Sequence, residues 1–293
     1  MAQNEIWTIV RILKWTEQYF GSKDVESPRL DAEVLLSHVL KKERIYLYVH
    51  FDEPLEPEEL TLYREYIKKR IQRMPVAYII GQREFMGLPF KVTPAVLVPR
   101  PDTEILVQAV MDHLKEAAGG AEPGGTVADI GTGSGAISLS LLHYLPQLQA
   151  VTVDISAAAL AVAKENAAAL ELTERIEFFE GDLLAPLAGR SFQAIVSNPP
   201  YIPEADIAGL EPEVREYEPM RALAGGVAGM DFYERLVAGA PALLAAGGFL
   251  ALEAGIHQAG PIAALAVANP AWGRQEIRKD YAGIDRVVVL WKK

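Results

Sequence analysis

Val127-Ala128-Asp129-Ile130, then Gly131-Thr132-Gly133-Ser134-Gly135, then Ala136 onward, is the stretch whose reading decides the fold. A short apolar run, a glycine-dense turn and an Ala/Leu-rich segment to about residue 145 read as strand, loop and helix. Glycine admits positive φ and lets a ligand approach the backbone closely. The bland reading, a mere strand-to-helix turn, does not explain three glycines in five residues. Their spacing is Gly-x-Gly-x-Gly. The dinucleotide fingerprint has one more residue before its last glycine, which shapes the turn for a pyrophosphate. This loop suits a nucleoside cofactor without one.

Outward from the loop, strands and helices alternate. A strand over 150–154 leads to a helix over 156–170, with Ser156 as N-cap. A strand over 176–180 ends at Gly181-Asp182. A fourth, 192–196, is closed by Asn198-Pro199-Pro200-Tyr201, where two prolines remove the donors a ladder needs. A helix over 229–246 and a strand over 249–253 follow. Segments 276–279 and 286–291 read as an antiparallel pair about Gly283. Alternating βα units predict a mostly parallel sheet with helices on both faces.

Residues 1–75 read instead as helical. Ile6, Ile9, Val10, Leu13 and Phe20 share one helix face, Ser27-Pro28 opens a second helix to about residue 40, and Glu56-Pro57 opens a third. The third carries Leu60, Tyr63, Ile67 and Ile71 on its apolar face, and the cations Arg64, Lys68, Lys69, Arg70 and Arg73 are expected on a solvated one. Residues 75–98 turn to β-type residues punctuated by glycine and proline, and a hairpin connector is expected around 75–94. Another helix is expected over 103–117, then a glycine-rich loop. The domain reading is a helical bundle over 1–74, a connector over 75–98 and an α/β domain over 99–293.

Composition narrows the function classes. Half of the 293 residues are hydrophobic, which predicts a sizeable core. The 28 Lys and Arg face 39 Asp and Glu, for a formal net charge of −11, and charge is nearly balanced over the first 75 residues. That sign disfavours a broad nucleic-acid surface, because phosphate neutralisation needs clustered cations. Cysteine is absent, so no disulfide framework or thiolate metal site exists. The five histidines show no metal-ligand spacing, and no metal is expected. The start, Met1-Ala2-Gln3-Asn4-Glu5, has no basic leader, and no apolar run is long enough for a span. A cytoplasmic protein, and a monomer, is the expectation.

Chemistry gathers at strand ends. Asp154 closes the second strand about 20 residues past the loop, where an acid can bond a ribose hydroxyl pair; capping the next helix is its rival role. Asp182, with Leu183 beside the ring, is placed for an adenine amino group, against the rival of an ordinary turn acid. Asn198 supplies a side-chain oxygen and Pro199 a carbonyl, each able to take one N–H of a planar amide or aryl amine. Two such acceptors would orient that nitrogen and draw its lone pair toward a methyl donor without an ionised base. Tyr201 offers a flat wall for a planar group.

These residues resemble the S-adenosylmethionine-dependent methyltransferases with a seven-strand Rossmann-like sheet and, within them, the peptide-chain release factor glutamine methyltransferase family (PrmC/HemK). The likeness rests on Pro75-Val76-Ala77-Tyr78-Ile79-Ile80-Gly81, Arg83-Glu84-Phe85, Pro99-Arg100-Pro101-Asp102-Thr103-Glu104, residues 129–136, residues 196–202, Glu218-Pro219, Asp231-Phe232-Tyr233 and Asp280-Tyr281-Ala282-Gly283, in order along nearly the whole chain. It implies an α/β, Rossmann-like methyltransferase domain joined by a β-hairpin connector to a small N-terminal bundle that docks the release factor. It also implies S-adenosylmethionine as cofactor, with Gly131, Thr132, Gly133, Ser134 and Gly135 along its methionine part, Asp154 at the ribose, Asp182 and Leu183 at the adenine, and Asn198 beside the donor. Asn198, Pro199, Pro200 and Tyr201 would hold the glutamine amide of a Gly-Gly-Gln loop, and residues 100–104 would close over the cofactor. Two departures stand out: Ala254 where a β-branched residue is expected, and Leu183 where some relatives carry an aromatic.

Other readings remain open on the residues alone. The same Asn-Pro-Pro-Tyr logic serves a ribosomal-protein glutamine or, less well given the acidic balance, an adenine-N6 DNA methyltransferase, which must also flip a base. A nicotinamide oxidoreductase is disfavoured by the glycine spacing, and a non-catalytic module would bind without turnover. Residues 202–230 read as a long acidic excursion carrying Glu204, Asp206, Glu211, Glu213, Glu216 and Glu218, which could border the entrance and steer a basic partner or merely be solvated.

Overall fold

The computed structural model describes residues 6–293, so the leader-less start read above lies outside the described residues. The chain divides into two compact units: Met1–Gly81 with Glu211–Tyr217, and Gln82–Leu210 with Glu218–Lys293.

The first unit is helical: α1 (Ile9–Gly21), α2 (Pro28–Leu40), α3 (Arg44–Val49), α4 (Pro57–Ile71), α5 (Val76–Ile80) and, from far along the chain, α9 (Pro212–Tyr217). On α1 the buried face is Ile9, Ile12, Leu13, Thr16 and Phe20, while Ile6 precedes the helix and Val10 is exposed. One step along a helix is 100°, which carries Val10 off the stripe that Ile9 begins. Glu56 and Glu59 form a capping box at the start of α4, with Pro57 in its first turn. Ser27 precedes Pro28, but its side chain makes no capping bond. α3 has no counterpart in the sequence reading.

Two of the cations expected in solvent are not there. Arg70 is buried, its Nε 2.7 Å from Asp31 Oδ2 and a terminal nitrogen 2.9 Å from Glu213 Oε1. Arg73 reaches the other Glu213 oxygen at 2.7 Å and Glu211 at 3.4 Å. Burial pushes Glu213 up, but its backbone, Arg70 and Arg73 together hold it below its ordinary value. Much of the acidic excursion is thus neutralised by its own chain, since Glu218 likewise pairs with Arg100 at 2.6 Å inside the second unit. Three of its six acids, Glu211, Glu213 and Glu218, are held this way.

The second unit opens with a hairpin, β1 (Gln82–Phe85) and β2 (Leu88–Lys91). Sequence suggested a hairpin from residue 75, but Val76–Ile80 is helical, and Gly81 ends it in the left-handed region at φ 76°. The hairpin is not a free connector. Phe85, Leu88 and Phe90 join the core of the sheet unit, and Asn166 bonds both backbone groups of Lys91.

After α6 (Pro101–Ala117) comes a seven-stranded sheet: β3 (Gly124–Ile130), β4 (Gln147–Asp154), β5 (Ile176–Glu180), β6 (Phe192–Ser197), β7 (Leu244–Glu253), β8 (Trp272–Lys279) and β9 (Asp285–Lys292). Its order is β5-β4-β3-β6-β7-β9-β8, parallel except at β9. Helices α7 (Ala136–Tyr144), α8 (Ala157–Ala169), α10 (Asp231–Gly239) and α11 (Ala259–Ala268) pack around it. Side chains alternate strictly between two cores. Val127, Val196, Ala251 and Val289 face one, and Ala128, Ile195, Leu250 and Leu290 the other, as the two-residue strand period requires. The helix expected to run to residue 246 stops at Gly239, because Pro241 cannot continue it and β7 starts at Leu244. α11 was not foreseen.

The order has one consequence for function. The chain leaves β3 for β4 and β5 on one side, then returns to β6 on the other. β3 and β6 are parallel neighbours, and from their adjacent carboxyl ends the chain runs on to opposite sides of the sheet, which opens a crevice at the switch point where open α/β sheets bind ligands.

Candidate active site

The glycine loop emerges from β3 and Asn198-Pro199-Pro200-Tyr201 from β6, side by side at that point. Ile130 pairs with Ser197, whose hydroxyl donates to the Ile130 carbonyl at 2.6 Å. They share a cleft of about 530 Å³, within the ~300–1,000 Å³ common for small-molecule sites. It is bordered by Gly131 to Ser134, Asp154, Asp182, Leu183, Asn198 and Pro200, and closed by Ala95–Leu97, Arg100, Thr103 and Pro219–Ala222. Gly135 starts α7 just behind it. Pro199 and Tyr201 do not border the cleft. Pro199 is buried, and the Tyr201 ring packs into the second core, where burial pushes its phenol up to about 12. The flat wall expected of Tyr201 is therefore behind the cleft rather than on it.

The loop is locally over-determined. The Gly131 and Thr132 amides donate to Val153 O, and Thr132 Oγ1 donates to Asp129 Oδ2 at 2.7 Å. Gly131 (φ 75°) and Gly133 (φ 55°) lie in the left-handed region, and a Cβ on either would meet no protein atom. They form an open cradle on the cleft. Gly135 (φ 81°) is different, because a Cβ there would stand 2.9 Å from Leu139 Cδ1. Asp154 accepts from Gly133 N and, with its other oxygen, from Ser156 N, both at 2.9 Å. It thus ties the loop to the start of α8, which Ser156 caps by accepting from Ala159 N. Asp129 is fully buried and its Oδ1 has no partner. Burial pushes its carboxyl up to about 6 despite bonds from Thr132 and Ser138. Asp182 is more exposed, its Oδ2 paired with Arg235 at 2.5 Å.

An adenosyl cofactor fits these residues: a cradle without side chains, a carboxylate at the end of β4, and a mostly apolar wall from Val96, Ile155 and Leu183. S-adenosylmethionine, when bound, supplies an electrophilic methyl group on a sulfonium sulfur. Asn198 faces the same space.

Several supporting residues escaped the sequence reading. Gln258 accepts from Gly255 N and donates to Tyr201 O at 2.9 Å and Gly229 O at 3.2 Å, clamping the exit of the proline turn to the end of β7. Thr103 accepts from Asn198 Nδ2 at 3.2 Å. Glu253, at the end of β7, is 1% exposed. It could have been noticed: an acid closing the apolar run Phe249-Leu250-Ala251-Leu252 repeats the pattern of Asp129 and Asp154. Nothing in the local sequence marks Gln258.

The class that this fold and site define is the Rossmann-like, S-adenosylmethionine-dependent methyltransferases. The fold alone is shared with a methyltransferase from Pyrococcus furiosus (TM-score 0.52, 17% identical, covering 70% of this chain and 89% of that one) and with the hMettl16 catalytic domain solved in complex with the MAT2A 3'UTR hairpin 1 (TM-score 0.55, 14% identical, 80% of each). Residues 11–81 match the PrmC N-terminal domain family and residues 102–209 the methyltransferase small domain family. Curated relatives called release factor glutamine methyltransferase occur in Geobacter sulfurreducens (46% identical over 97% of this chain and 96% of that protein), Moorella thermoacetica (46%, 92% and 93%) and Chlorobaculum tepidum (39%, 98% and 98%). The chain belongs to the release factor glutamine methyltransferase family.

Proposed function

We propose that the chain methylates the side-chain amide nitrogen of the glutamine in the Gly-Gly-Gln motif of class-1 peptide-chain release factors, using S-adenosylmethionine. The observation that carries this is the placement of Asn198 on the cleft that the glycine loop lines, within a chain that follows its family over nearly full length. Gly131 to Gly135 lie along the methionine part of the cofactor, and Asp154 binds the ribose. Asp182 offers the adenine amino group the oxygen that Arg235 does not hold, beside Leu183. Asn198 Oδ1 accepts one N–H of the glutamine amide, and the carbonyl of Pro199, whose ring lies off the cleft but which is bonded to the bordering Pro200, accepts the other. Pro200 borders it, and Tyr201, anchored by Gln258, fixes the turn from behind. With both N–H groups engaged the amide is held in one orientation, and its lone pair is directed at the methyl group. The helical unit, matched to the PrmC N-terminal domain, serves as the docking element for the release factor, and the enzyme works in the cytoplasm of a bacterial cell.

The test is to incubate the protein with labelled S-adenosylmethionine, a purified release factor, a ribosomal fraction and duplex DNA, then locate the label by mass spectrometry. Label on the Gly-Gly-Gln glutamine is expected. Label on a ribosomal protein, on a base or on a lysine overturns the assignment.

A further inference from the structure

Asn198 can accept from the substrate only if its oxygen, and not its nitrogen, faces the cleft. Half a turn about the last side-chain bond exchanges the two, and packing alone barely distinguishes them. Hydrogen bonds behind the residue decide it. Nδ2 donates to Thr103 Oγ1 at 3.2 Å. The buried Glu253 carboxylate stands beside Thr103 and Asn198, and both favour its charged form. A carboxylate only accepts, so the Thr103 hydroxyl hydrogen points at Glu253 and its lone pair is left to receive Nδ2. Nδ2 is then held by a protein acceptor, and Oδ1 remains for a ligand.

We propose that Glu253 is a positioning residue which, directly and through Thr103, locks Asn198 with its oxygen toward the substrate; this rests on the reading of Asn198 as the amide holder. Burying a carboxylate costs stability unless it is paired and bonded, yet Glu253 Oε2 has no partner. The nearby guanidinium of Arg286 is engaged elsewhere, with Asp280 at 3.0 Å, Asp102 at 3.2 Å and the Ala254 carbonyl at 3.3 Å.

The arrangement is sensitive to one proton. Burial pushes the Glu253 carboxyl up to about 7, with Asp102 on α6 adding to this and Thr103, Arg286 on β9 and Asn198 opposing it. The phenols of Tyr201 and Tyr233 also face it, and both are pushed up by burial, so they stay neutral through this range. A protonated Glu253 becomes a donor. The Thr103 hydroxyl is then free to turn toward Asn198, and the reversed amide is no longer disfavoured. Turnover therefore falls as pH drops below about 7, while cofactor affinity stays level.

The test compares wild type, Glu253→Gln, Thr103→Val and Thr103→Ser with intact release factor from pH 6 to 8.5. kcat is read beside the Kd of S-adenosylhomocysteine from calorimetry. Glu253→Gln should lose kcat about 10–100-fold at pH 8, the scale for removing an orienting partner, and should lose the acid limb that wild type shows. Its Kd should move less than about twofold, the range in which no ligand contact has been lost. Thr103→Val should match it in kcat, and Thr103→Ser, which keeps the hydroxyl, should recover what Thr103→Val loses. Glu253→Gln with wild-type kcat, or with the acid limb intact, overturns the inference. So does a loss expressed only in Kd, or Thr103→Ser no better than Thr103→Val, and the threonine pair decides the matter if Glu253→Gln fails to fold. A wild-type enzyme that leaves the glutamine unlabelled would sink the functional reading instead, which keeps the two failures apart.

Discussion

Replacing Arg70 with Met probes the charge cluster that no sequence pattern disclosed. The substitution keeps most of the side-chain volume and removes one guanidinium that serves both Asp31 and Glu213. Those side chains are only 14% and 17% exposed, and that of Arg70 is 6% exposed, so solvent screens little. Breaking a buried pair by deleting one partner costs about 3–5 kcal/mol. Glu213 keeps Arg73 at 2.7 Å, which puts the expected loss near the lower end, about 3 kcal/mol. The pH sign follows. Burial already raises Asp31, with Arg70 as its main opponent, so its folded-state value rises further in the variant. The folded variant then binds more protons than the unfolded chain just above the ordinary carboxylate range, and stability increases as pH falls through that window. The loss should be largest at pH 8 and shrink toward pH 5. Hydrogen–deuterium exchange in peptides from α2, α4 and α9 gives the opening free energy of this unit at both values. A loss below about 1 kcal/mol, the level of an exposed pair, or one equal at both pH values, would refute the reasoning.

Asn198→Ala should bind S-adenosylhomocysteine normally in calorimetry and lose kcat by about 100-fold or more, the scale of one positioned transition-state contact; retained turnover would remove it from the mechanism. Asp154→Ala should weaken cofactor binding by about 10–100-fold, the scale of one or two hydrogen bonds to a charged group, and should leave Gly133 N and Ser156 N unpaired. An unchanged Kd would return Asp154 to a purely capping role. Gly135→Ala should destabilise the sheet unit by about 1–3 kcal/mol, the cost of a side chain held in a sparsely populated backbone region, with Leu139 Cδ1 crowding the new Cβ. Thermal unfolding at the wild-type temperature would sink that argument.

Much of the fold was legible because local signals agreed. Apolar runs of strand length, glycine or acid at their ends and Ala-rich helices fixed β3 to β6 closely, and Ser156 caps α8 as its position before an apolar helix suggested. Misses fell where two signals competed or where none was local. Pro241 and the start of β7 sit inside a segment whose alanines favour helix. Arg70 and Arg73 occupy positions that period alone assigns to solvent, but α9 supplies Glu213 from some 140 positions away. No window along the chain contains that partner.

The sequence alone determined that a glycine loop, two strand-ending acids and an Asn-Pro-Pro-Tyr turn exist, because each is a property of a few adjacent residues and the backbone conformations they permit. Only the tertiary structure decided that β3 and β6 are neighbours, which makes one cleft of two distant motifs. It also decided that Tyr201 stands behind that cleft, and that Thr103 meets the nitrogen of Asn198. Hydrogen bonds are short and directional. Which atom of an amide faces a substrate is therefore set by whatever folding brings within about 3 Å of the other.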